Sequence, residues 1–117
     1  MNNGVLPQRP EFEVTVSTED GVRVVAVRGE LDLDTMGDLN EALAADNGLL
    51  GTTVVDLRGL TFIDSSGVSG VLAAARRARD AGARLVCVPG PPPIRRVFEL
   101  TGVDTVIEWV DRPGEAA

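Results

Sequence analysis

The sequence contains no histidine, so neither a Ser-His-Asp hydrolase nor a histidine-ligated metal centre can be built from it. It contains no lysine either, since all 11 basic residues are arginine. That removes Schiff-base chemistry and the phosphate-gripping lysine of a P-loop, and no GxxxxGK[ST] run occurs. The single cysteine, Cys87, excludes an internal disulfide and, set in "RLVCVPG", reads as a small buried hydrophobe. No apolar run approaches the roughly 18 residues of a membrane span, and the opening "MNNGVLPQRP" lacks the charged-then-apolar order of a signal peptide. A cytoplasmic location is therefore expected. The net charge of −7 argues against nucleic acid or an anionic membrane as ligand, because both reward clustered positive charge. A basic protein surface is the better match.

What is present is enough for one domain. The 117 residues suffice for a single core and are too few for two ordinary ones. The expected organisation is a flexible N-terminus over 1–10, a folded domain over 11–110 and a flexible C-terminus over 111–117. In "EFEVTVS" apolar Phe12, Val14 and Val16 alternate with polar residues, the period of a half-buried strand. Asp20-Gly21 marks a turn, and "VRVVAVRG" completes an antiparallel hairpin. "TMGDLNEALAADNG" reads as a helix, with Thr35 and Asp38 as a capping box and Gly48 as its stop. "TTVVDL", ending near Leu57, is a third strand, buried on both sides.

From Ser65 to Ala81, Val68, Val71, Leu72, Ala75 and Ala78 form one helical stripe, closed by Gly82. The run "ARRARDAGAR" on that helix reads either as a basic docking patch or as a solvated outer face. "ARLVCVPG" is a fourth strand, "PPPIRRVFELTG" a helix entered through proline, and "DTVIEWV" a short fifth strand. The class is α/β: a mostly parallel five-stranded sheet with an N-terminal antiparallel hairpin and helices mainly on one face.

The stretch "TFIDSSG", Thr61 to Gly67, falls at the carboxyl edge of this sheet, where open α/β folds keep their functional loops. Phe62 and Ile63 are expected to anchor it to the core. The first turn of a helix leaves N–H groups unpaired with a partial positive charge, which favours a serine oxygen or an added phosphate. Asp64 or Ser65 caps the helix in the plain reading. Ser66-Gly67-Val68-Ser69-Gly70 goes further, because interior glycines cost about 1 kcal/mol each relative to alanine and leave the backbone open to a partner. "RGELDLDT" places Asp32 and Asp34 at the same edge, making an acidic rim around the serine; three aspartates could also hold Mg²⁺.

These residues resemble a family. "GELD" at Gly29–Asp32, "FIDSSG" at Phe62–Gly67, the Gly82 turn before "LVCV" and "VFELTG" at Val97–Gly102 are similar to the STAS domain, specifically the bacterial anti-sigma factor antagonists, from about residue 11 to 110. The resemblance implies a regulatory switch that is not an enzyme and uses no cofactor or metal. Its unphosphorylated form would bind a serine-kinase anti-sigma factor and free the sigma factor. That kinase would use ATP to phosphorylate Ser65, with Ser66 the second choice, and a PP2C-type phosphatase would reverse the reaction. Asp32 takes the place of the family's aspartate beside the phosphorylation site; Asp34, Thr35, Asp64, Ser66, Gly67 and Ser69 are the further contact candidates.

Two other jobs fit the same fold: a scaffold subunit of a stress-signalling complex, or a small subunit of a lipid transport system. A receiver domain phosphorylated on Asp56 would need an acidic pair after the first strand and a lysine, and has neither. A hydrolase using Ser65 has no histidine or lysine base.

Overall fold

The computed structural model describes residues 12–44 and 51–117; residues 1–11 and Gly48, the expected helix stop, lie outside these. The element order is β1 (Phe12–Glu19), β2 (Val22–Leu31), α1 (Met36–Ala44), β3 (Thr52–Ile63), α2 (Ser65–Asp80), β4 (Arg84–Val88) and α3 (Pro92–Thr101), with 3₁₀ turns at Val103–Thr105 and Pro113–Ala116.

The four strands lie in sequential order, β1 antiparallel to β2, then β2, β3 and β4 parallel. The α/β class, the antiparallel hairpin and the parallel pairing after it hold, but the sheet has four strands, not five, among the described residues. Asp20 and Gly21 both take positive φ, +52° and +81°, the type I′ geometry whose twist matches a two-residue hairpin. The expected fifth strand is reduced to a single bridge between Trp109 and Cys87, made by the Cys87 N–H to the Glu108 carbonyl and the Val110 N–H to the Cys87 carbonyl. Residues 103–105 curl into a 3₁₀ turn instead, because the αL cap at Gly102 (φ +77°) leads directly into it. Trp109 then packs edge-on to Phe98, ring centroids 5.2 Å apart, and its Nε1–H donates to the Asp104 carbonyl.

The third strand is twice as long as expected, and its register explains why. Pairing with β2 slips between Ala26 and Arg28 and again between Gly29 and Glu30. Each slip inserts an extra residue in β3, so the core-facing positions run Val55, Leu57, Leu60, Ile63. Bulges of this kind break the period-2 signal while keeping the strand paired. β4 accompanies β3 only from Thr52 to Asp56; beyond that, β3 is paired with β2 alone.

All three helices pack on one face. Val25, Val27, Leu31, Leu57 and Cys87 of the sheet meet Leu39 of α1, Val68 and Val71 of α2, and Ile94 and Phe98 of α3. The opposite face carries a smaller cluster of Val22, Val24, Val54, Val86 and Val88, covered by Ala116. The last residues, expected from composition to be frayed, thus form a 3₁₀ turn with Pro113 and Ala116 buried, and Arg84 Nη1 donates to the Ala116 carbonyl.

Candidate functional site

The end of β3 runs straight into α2, with Asp64 as the one residue between them. Asp64 takes an extended conformation (φ −112°, ψ −175°), its Oδ1 accepts the N–H of Gly67 at 3.0 Å, and its carbonyl accepts the N–H of Val68. It is therefore the N-cap, and Ser65 is the first helical residue. An N-cap satisfies one of the four orphan donors of a first turn; Ser65 and Ser66 keep theirs directed out of the helix end. Ser65 is exposed, Ser66 partly so, and Ser69 is exposed one turn on. At the far end, Ala83 N–H reaches the Ala78 carbonyl and Gly82 N–H the Arg79 carbonyl, with Gly82 at φ +79°. That is a Schellman closure.

The β2–α1 loop is built around Asp32 and Thr35. Asp32 Oδ1 accepts the N–H groups of Asp34 (3.0 Å) and Thr35 (3.1 Å), and the Asp32 carbonyl accepts that of Met36 (2.9 Å). Asp32 thus organises the start of α1. The capping box expected of Thr35 does not form. Thr35 is 3% exposed, and its hydroxyl instead donates to the Glu30 carbonyl (2.8 Å) and accepts the Asp32 N–H (3.0 Å). Its side chain is turned inward, where it holds the loop's shape.

The two loops are fastened together. Asp64 N–H donates to the Leu31 carbonyl at 3.3 Å, and Gly67 is buried so closely that a Cβ there would lie 2.7 Å from that same carbonyl oxygen and from Ile63 Cγ1. Gly70 faces the flexible end of the Met36 side chain at the start of α1, a neighbour that can give way more easily than the Leu31 backbone. The small residues of α2 therefore serve contact with the β2–α1 loop, and Gly67 is internal to the edge. Asp32, Asp64 and Ser66 are partly exposed there, and Asp34 is exposed.

Sequence reasoning missed two exposed apolar side chains at this edge. Leu33, in the loop between Asp32 and Asp34, is 75% exposed, and Phe62, expected to anchor the loop, is 46% exposed; only Ile63 turns inward. Phe62 is paired with Glu30 across β2, so both lie on the side of the sheet away from the helices. The signal was present in "FI": the strand continues through it, and adjacent strand residues face opposite ways.

The edge combines an exposed serine hydroxyl, helix-start N–H groups, carboxylates and exposed apolar surface. Among the described residues, no group of three or more acidic, cysteine or histidine side chains could hold a metal. Asp56 lies on the face opposite the helices, bound by Arg58 Nε (3.0 Å) and Nη2 (2.8 Å). Burial raises its pKa, and the Arg58 bonds more than offset this, so it stays below its ordinary value. No helix among the described residues is long and apolar enough to cross a membrane.

Residues 14–108 match the family described as "Mlab, STAS domain". The anti-sigma F factor antagonist of Lysinibacillus sphaericus is 31% identical over 94 residues, 79% of this chain and 80% of that protein. Among solved structures, an anti-sigma factor antagonist from Mycobacterium paratuberculosis superposes with a TM-score of 0.78 at 27% identity, covering 95% of both chains. The Bacillus cell fate determinant SpoIIAA in its phosphorylated form is 26% identical, with a TM-score of 0.63 over 90% of this chain and 95% of that one.

Proposed function

Because the chain belongs to the STAS domain family, with relatives named as anti-sigma factor antagonists, we propose that it is one itself and works as a phosphorylation-controlled binding switch in the cytoplasm. Unphosphorylated, it binds a serine-kinase anti-sigma factor and releases the sigma factor that this kinase holds. The kinase transfers the γ-phosphoryl group of ATP to Ser65 Oγ, ADP leaves, and the hydroxyl proton passes to the kinase. A PP2C-type phosphatase hydrolyses the ester and restores the binding form. The chain itself is a regulatory binding protein, with the chemistry supplied by its partners.

One observation carries this reading: Ser65 is the exposed first residue of a helix whose start is pinned to the acidic loop through Asp64 and Leu31. A phosphate there gains from the orphan N–H groups and helix dipole, so the fold tolerates it. It also adds about −1.5 to −2 charges at neutral pH beside Asp32, Asp34 and Asp64, which is costly in a closely packed interface. Phosphorylation then breaks binding without unfolding the domain. Asp32, Asp34, Asp64, Ser66 and Ser69 supply the polar contacts, and Leu33 and Phe62 the apolar ones; Thr35 and Gly67 hold the surface in shape from beneath.

The test is incubation with candidate serine-kinase anti-sigma factors and ATP, followed by intact mass and site mapping. A gain of about 80 Da, one phosphoryl group, on Ser65 and none in Ser65→Ala is expected. A gain that persists in Ser65→Ala would overturn the assignment. Co-purification with a membrane ATPase or a large STAS assembly in place of a kinase would move the chain to the transport or scaffold reading.

A further inference from the structure

The missing fifth strand leaves a groove. Residues 106–108 run beside β4 without forming a strand ladder with it; the Glu108 carbonyl accepts the Cys87 N–H and its side chain is bound to Arg84, and a trough remains between these residues, the start of β4 and the second half of α2. Its walls are Leu72, Ala75, Leu85 and Val106, the last 60% exposed. Arg76, Arg79 and Arg84 stand along it with Glu108 as the sole acid in the lining, a net of two positive charges. Arg84 is bound to Glu108 through Nε (3.1 Å) and Nη2. Arg76 and Arg79 make no ion pair or side-chain hydrogen bond among the described residues, although the chain carries 18 acidic residues against 11 basic ones.

We propose that this groove is a second docking site, for an acidic segment of a partner protein that also presents apolar side chains. Leucine-sized groups would fill the trough between Leu72 and Val106, while carboxylates meet Arg76 and Arg79 in the forked geometry that guanidinium favours. Charge complementarity selects this occupant. A nucleic acid or a bilayer would bring an extended anionic surface against a protein of net charge −7, whereas a short segment meets only the local positive field. The site is distinct from Ser65: its lining on α2 runs from Leu72 to Arg79, 7 to 14 positions further on, about 10–21 Å along the axis. One partner can therefore occupy the groove while another works at the helix start.

The test titrates the ¹⁵N-labelled full chain with a synthetic helical peptide carrying Glu and Leu at i, i+4 spacing, and with a control bearing Lys for Glu. Expected are chemical-shift changes at Leu72, Ala75, Arg76, Arg79, Leu85 and Val106, with affinity falling about 10-fold or more in Arg76→Glu/Arg79→Glu. Val106→Ser, which leaves the charges intact, should weaken binding several-fold. No binding up to about 1 mM peptide, equal binding of the Lys control, shifts at the Ser65 edge, or affinity unchanged in the double variant would each overturn the proposal. Binding to phosphatidylglycerol vesicles in place of the peptide would overturn it in favour of a lipid. Self-association in sedimentation, abolished by the double variant, would overturn it in favour of a second copy of the chain.

Discussion

The backbone N–H of Asp64 donates to the carbonyl oxygen of Leu31 at 3.3 Å, so the turn that presents Ser65 and the acidic loop that flanks it share one anchor. Anything that separates the two should alter both the stability of the edge and the proposed phosphorylation of Ser65.

Gly67→Ala tests that anchor. Its Cβ would fall 2.7 Å from both Leu31 O and Ile63 Cγ1, and overpacking against backbone costs about 1–3 kcal/mol. Urea denaturation should show a loss of that size, with slower phosphorylation of Ser65. Ser66→Ala, at a partly exposed neighbour, should remain within about 0.5 kcal/mol of the parent.

Thr35→Val keeps the shape and removes the hydroxyl that serves Glu30 and Asp32. Leaving those backbone groups unpartnered costs about 1–3 kcal/mol. Amide exchange at Asp32 should accelerate, and Thr35→Ser should restore protection; unchanged exchange in the valine variant would contradict the loop role.

Asp64→Ala removes the cap of α2 and should cost about 1 kcal/mol, while Asp64→Asn should lose little. Ser65→Asp is the converse case. A carboxylate in the first turn gains about 0.3–1 kcal/mol from the helix dipole, so its Tm should hold or rise while binding to the anti-sigma factor is lost. A folded variant that still bound tightly would count against the switch.

Cys87 is fully buried in the helix-side cluster, and burial pushes its thiol from an ordinary value of 9.0 to about 12. The folded state therefore favours the protonated thiol. The resulting stabilisation is complete below about pH 9 and is lost as pH rises from there through about 12. Denaturation midpoints should fall across that window, less steeply in Cys87→Ala. A thiol reagent at pH 8 should label Cys87 only after unfolding.

Much of this fold was legible where a single periodicity persisted. The hairpin turn at Asp20-Gly21, the α2 stripe of Val68, Val71 and Leu72, and the Gly102 stop all follow from local rules, and so did the place of Ser65 at a helix start. The misses had tertiary causes. Two bulges hid the second half of β3. Trp109 exchanged a full strand pairing for its edge-on contact with Phe98. Thr35 sat in a capping pattern, yet the loop needed its hydroxyl more, and Gly67 and Gly70 read as an opening for a partner when the neighbouring loop and α1 already fill that space. Local sequence states which residues are small or polar; only the assembled fold states which neighbour uses them.

The overhang of β3 beyond β4 has a kinetic consequence. From Leu57 to Ile63 the strand is paired with β2 alone, yet Leu57, Leu60 and Ile63 stay buried in the helix-side core, so the Ser65 turn stands on a packed two-stranded extension of the sheet whose shape the fold sets. An edge preset in this way loses little conformational entropy on docking. Encounter should then be governed by diffusion and charge, with an association rate that climbs as salt is lowered and shows no slow rearrangement phase.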